Sequence, residues 1–113
     1  MIRVLVTLSP RIYREAIAFS LRSVRPEIEA RAASPDDAEV ELAGFRPHLL
    51  VHTDTDGLGQ EAAAAGVLCR VEVPYSDGME ARVWAGGTVS RMRDISTEDL
   101  LRAVDVTATM GGL

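Results

Sequence analysis

The chain has no lysine: all 12 of its basic residues are arginine. That absence excludes Schiff-base chemistry and the phosphate-gripping lysine of a P-loop. There is one cysteine, Cys69, so no internal disulfide forms. It falls in an apolar run and reads as a buried core residue. No stretch approaches the roughly 20 apolar residues that span a bilayer. The opening also lacks the basic-then-apolar pattern of a secretory signal, so a cytoplasmic protein is expected. Positive charge is scarce, with a net charge of −5 and a pI near 4.9. Nucleic-acid surfaces need clustered cations, and this balance argues against one. Arg91 and Arg93 form a local pair, which strand alternation explains as a solvated face. No internal repeat, linker or low-complexity tract interrupts the chain.

What is present fits one domain. At 113 residues and 47% apolar content, the chain can bury a single core. Residues 1–109 read as that domain and residues 110–113 as a flexible tail. Residues 2–7 are a near-continuous apolar strand. Ser9 is placed to cap the following helix, with Pro10 in its first position. That helix is expected to turn Ile12, Ala16 and Phe19 inward, with Tyr13, Ile17 and Val24 widening the stripe, and to stop near Arg25 before Pro26. Residues 28–33 alternate as an edge strand. Ser34, Pro35, Asp36 and Asp37 open a second helix that ends at Gly44. Residues 49–53 form a third strand, 59–65 a short alanine-rich helix and 67–73 a fourth strand. A turn cluster at residues 74–78 follows. Residues 79–85 then alternate with the period of a strand, Gly86-Gly87 turns the chain, and residues 88–93 form another strand. The result is a β-meander, with its middle strand antiparallel and its last strand parallel to the first. Ser96 caps a final helix that turns Leu100, Leu101 and Val104 inward.

Three features resemble the receiver domain of bacterial two-component response regulators. They are the strand–Ser9-Pro10–helix opening, the run Arg46-Pro47-His48-Leu49-Leu50-Val51, and the phrase Asp94-Ile95-Ser96-Thr97-Glu98-Asp99-Leu100-Leu101. The resemblance covers about residues 1–66 and 88–108. It implies an α/β fold, a flavodoxin-like, receiver-like open sheet with helices on both faces, here with the meander replacing the fourth helix. Receivers hold Mg²⁺ with paired acids after the first strand and phosphorylate an aspartate at the end of the third. They also use a hydroxyl switch residue and a lysine. The matching positions here read Leu8, Ser9 and Thr53, with Arg93 at the lysine position and no Ser or Thr ending the fourth strand. Mg²⁺ needs oxygen ligands in octahedral array, which Leu8 and Ser9 do not supply. An arginine keeps the lysine's charge but not its shape.

Asp54 and Asp56 lie at the carboxyl end of the third strand, where open sheets place ligands. Asp-Thr-Asp-Gly reads first, however, as an ordinary polar turn and helix entry. His48 and His52 share a strand face with Asp54, but sit roughly 13 Å apart at strand rise, too far to ligate one metal ion. Trp84 falls on the polar face of its strand with Arg82, near Tyr75. There it is either an interface anchor or cover for the domain's own core edge. The leading expectation is a non-phosphorylatable signalling module that works by protein–protein contact, as a homodimer through the meander or with a regulatory partner. The rival is a small-molecule or anion site at the carboxyl edge, built from Ser9, Thr53, Asp54, Asp56 and Arg93. No nucleophile–base pair or metal set emerges, so neither catalysis nor a cofactor is expected. Incubation with acetyl phosphate and Mg²⁺ should leave the intact mass unchanged. A phosphoryl adduct abolished by Asp54→Asn would contradict this reading.

Overall fold

Five consecutive buried residues, Leu49–Thr53, run through the middle of the sheet. A strand buried on both faces needs helices over both. The computed structural model, which describes residues 2–53, 58–74, 81–85, 87–92 and 96–112, has that layering. In chain order the elements are β1 (Arg3–Val6), α1 (Arg11–Val24), β2 (Glu29–Ala32), α2 (Ala38–Gly44), β3 (Leu49–Thr53) and α3 (Gly59–Ala64). They continue with β4 (Cys69–Val73), β5 (Ala81–Ala85), β6 (Thr88–Met92) and α4 (Thr97–Gly111). A 3-10 turn at Pro35–Asp37 leads into α2, capped by the Ser34 hydroxyl, which accepts from the Asp36 N–H.

The strands form one mixed sheet in the order β2-β1-β3-β4-β5-β6. The first four are mutually parallel, while β5 runs antiparallel to both β4 and β6. The expected meander is therefore present in its strands, and β2 is the expected edge. Residues 75–80 and Gly86, which include its turns, lie outside the described residues. This is not the receiver order, in which the last parallel strand lies directly beside the fourth. Here β5 intervenes.

Period-two alternation sorts the core into two layers. Val4, Val6, Leu49, Val51 and Val71 pack with Ala18 and Leu21 of α1 and with Leu100 and Val104 of α4. Leu5 and Leu50 face the other way, onto Leu42 of α2 and Ala62 of α3. Cys69 is buried in the first layer, and its Sγ donates to Met110 Sδ at 3.3 Å. Met110 and Gly111, assigned from sequence to a C-terminal tail, lie in the last turn of α4. That helix ends on Gly112 at φ 68°, a left-handed position that favours glycine.

Two expectations at α1 need correcting. The helix begins one residue later than expected, with Pro10 as its cap residue and no side-chain cap. Ser9 instead gives its backbone N–H to Thr53. The helix is also turned round. Ile12 and Phe19, expected inward, are 71% and 65% exposed, and the buried residues are Ala18 and Leu21. The sequence carries overlapping apolar stripes, and partners decide between them. With Ala18 and Leu21 inward, Arg14 reaches the Leu8 carbonyl and Arg25 forms a two-pronged pair with Asp105 of α4. Turning Phe19 inward would sacrifice both bonds. In dilute solution, Leu21→Ala should cost about 2–5 kcal/mol in denaturant unfolding. Ile12→Ser should stay within about 0.5 kcal/mol of wild type. The reverse ranking would put the other stripe in the core.

Candidate functional site

Two groups of polar residues gather where the central strands end. The first joins β1 to β3. Parallel pairing continues past the strand, with the Thr7 N–H donating to the Val51 carbonyl at 2.8 Å. Thr53 is 4% exposed, and its Oγ1 accepts the Ser9 N–H at 3.2 Å. The hydroxyl at the resemblance's nucleophile position thus serves as a tie between the β1–α1 turn and the sheet. Of the expected ligand residues, Ser9 and Thr53 are brought together. Asp54, Asp56 and Arg93 lie outside the described residues.

The second group lies on the face covered by α3. Cross-strand register aligns Leu50, Arg70 and Trp84 in one row and His52, Glu72 and Arg82 in the next. The Arg70 guanidinium donates to Glu72 Oε2 at 3.0 Å and stacks 4.5 Å from the centre of the Trp84 ring. Its Nη1 also lies 3.3 Å from His52 Nε2. A guanidinium only donates, so this contact assigns Nε2 as the acceptor and the ring proton to Nδ1. Nδ1 lies 3.1 Å from the Thr53 carbonyl, an acceptor suited to that proton. Arg82, exposed, reaches Glu72 Oε1 at 3.8 Å. Gly59 opens space for the cluster, since a Cβ there would meet Arg70 Nη1 at 2.9 Å. A groove of about 240 Å³ runs beside it, lined by Gly59, Ala62, Ala63, Arg70 and Trp84.

Among the described residues the charges of this second group are paired within it. Glu72 balances two guanidiniums, and Arg70 is occupied on its edge and its face. Trp84 is half-buried against its own chain through Arg70, while Tyr75 lies outside the described residues. Among the described residues, Thr7 Oγ1 and Trp84 Nε1 are buried without a hydrogen-bond partner. His48 and His52 diverge. His48 Nδ1 accepts the Arg3 N–H at 2.9 Å, and its pKa is pushed down by burial and then by the Arg3 charge. Among the described residues no three His, Cys, Asp or Glu side chains gather as a metal set.

Sequence reasoning gave Arg70 and Glu72 no role beyond their place in the fourth strand. Their alternation against Cys69 and Val71 was visible, but their pairing with His52 and Trp84 depends on register. It also missed the outward side of α1, where Ile12, Tyr13, Phe19 and Val24 are all exposed. No family model matches this chain, and neither curated proteins nor solved structures give a significant match. Replacing Arg70 with alanine should leave Glu72 short of its nearest cation and uncover Trp84. We expect a loss of about 1–3 kcal/mol and a red shift in the fluorescence of the chain's one tryptophan. Unchanged emission would mean that the stacking is not maintained in solution.

Proposed function

We propose that the chain is a receiver-like, flavodoxin-like module that acts by docking to another protein chain, without phosphoryl transfer. The fold reading draws support from four parallel strands in the order β2-β1-β3-β4 with helices on both faces. The functional reading rests on one observation. Four large apolar side chains stand outward on α1, with Ile12, Tyr13, Phe19 and Val24 between 57% and 71% exposed. Scattered exposed apolar residues need no explanation, but four large ones on a single helix of 14 residues are a concentration that suits an interaction surface. The carboxyl edge supports a ligand site less well, because Thr53 Oγ1 already accepts from Ser9. Trp84, read from sequence as either an interface anchor or cover for the domain's own core edge, is partly used within its own chain by Arg70.

The test compares wild type with Ile12→Asp/Phe19→Asp, both immobilised and exposed to an extract of the source organism. A thermal-shift series with nucleotides, metabolites and simple anions runs beside it. The expected result is a protein, either this chain or another, retained by wild type and lost with the variant at unchanged melting temperature. Stabilisation by a small ligand, with no α1-dependent protein retained, would overturn the reading.

A further inference from the structure

The residues of α1 that face the sheet are Arg14, Ile17, Ala18 and Leu21, all buried or half-buried. Directly opposite, Ile12, Ala16, Phe19 and Ser23 recur at alternating spacings of four and three. This is the spacing of a helix–helix seam, in which apolar positions repeat every 3.5 residues on average. All four are exposed. Glu15 and Arg22 flank the seam on one side, and Tyr13 and Ser20 on the other. The placement of the first flank has independent support: Glu15, Phe19 and Arg22 together line an open groove of about 680 Å³ between α1 and the β2 edge.

We propose that this seam pairs with the same seam of a second copy, antiparallel about a two-fold axis between residues 17 and 18. The inference rests on the interaction-module reading and adds the partner and its orientation. Reversing one helix over the other sets Ala16 against Phe19 of the second copy, small against large. Symmetry repeats the match. Ile12 then meets Ser23, and Tyr13 lies beside Ser20. On the charged flank Glu15 lies beside Arg22 of the second copy, again twice. Flanking charges of this kind set partner choice and orientation in paired helices. Parallel pairing would instead oppose Phe19 to Phe19, Ala16 to Ala16, and Glu15 to uncharged Ser20.

Charge and area favour a copy of this chain as the occupant. Two molecules of net charge −5 repel, so they need a face that is not itself acidic. Glu15 is the single acid of α1 and already accepts from Arg11 on its own helix at 2.8 Å. Its second carboxylate oxygen can take Arg22 of the other copy in the antiparallel setting. Arg22 donates one N–H to the Ala30 carbonyl at 2.8 Å, which holds it over the flank. A guanidinium carries five N–H donors, so others remain. The exposed parts of Ile12, Tyr13, Phe19 and Val24 amount to about 500 Å² of mostly apolar surface per copy. Standard interfaces bury about 800 Å² per partner, so a dimer near the weak end of the range is expected.

Sedimentation velocity from about 10 µM to 1 mM should show concentration-dependent dimerisation. Phe19→Asp should abolish it at unchanged melting temperature. Glu15→Arg alone, or Arg22→Glu alone, should weaken the dimer about tenfold, because each puts like charges together twice. The double exchange Glu15→Arg/Arg22→Glu should restore it. A wild type that stays monomeric throughout would overturn the proposal, as would a dimer indifferent to Phe19→Asp. A dimer sensitive to Phe19→Asp but not rescued by the double exchange would overturn the antiparallel pairing. If wild type is monomeric and a different protein from the extract is retained through α1, the dimer fails while the interaction module stands.

Discussion

The burial of β3 on both faces is the constraint that the other elements answer. Leu49, Leu50 and Val51 are wholly inaccessible, and fully burying one such side chain is worth about 1.5–3 kcal/mol. That gain exists only if helices close over both faces, so α1 and α4 lie on one side and α2 and α3 on the other. Alternation then gives adjacent residues different surroundings. Thr53 follows Val51 to the α1 side and holds the Ser9 N–H, whereas His52 follows Leu50 to the α3 side and meets Arg70. Both polar side chains are buried, and a buried polar group without a partner costs more than a hydrogen bond contributes.

The Arg70–Glu72 pair follows from the same layering. Their side chains are 18% and 16% exposed, so water screens them incompletely. Burying such a pair is weak evidence for stability, because desolvation offsets much of the attraction. Its consequence for register is clearer. A one-residue slip of β4 would send Arg70 and Glu72 into the apolar layer and Cys69 and Val71 out of it. The stack of Arg70 on Trp84 extends that restriction to β5, the strand that separates this sheet from the receiver order.

Much of this was legible in the sequence, and the exceptions share a cause. Strands were readable because residues 2–7 and 49–53 are built around the apolar runs Val4-Leu5-Val6 and Leu49-Leu50-Val51, and residues 81, 83 and 85 alternate as small apolar positions against 80, 82 and 84. Ser34 and Ser96 were readable as caps because each precedes acids that favour a helix start, and both accept the expected backbone N–H. The facing of α1 was not readable. Its two stripes are similar in apolar content, and the choice between them is made by how Ala18 and Leu21 pack on the sheet and α4, residues distant in the chain, with the exposed Arg25–Asp105 pair adding little. The cluster of His52, Arg70, Glu72 and Trp84 was hidden for the same reason, since three strands must align before it exists. Local pattern carries local structure, while facing and clustering come from residues far apart in the chain.

The outward stripe of α1 then has a definite physical status. The inner side of the helix already supplies its packing through Ala18 and Leu21, so Ile12 and Phe19 add nothing to the core from where they stand. An apolar stripe in water favours association at contact range, whereas net charge opposes it at distances up to a Debye length of about 8–10 Å. A protein of net charge −5 with one apolar helix face therefore resists indiscriminate aggregation. It still favours a contact in which that face is covered. Such a contact is selective because the repulsion acts everywhere, whereas the exposed aromatic rings Tyr13 and Phe19 stand on one helix and the exposed large apolar side chains outside it, Val40, Val89, Val106 and Met110, are spread over three other elements.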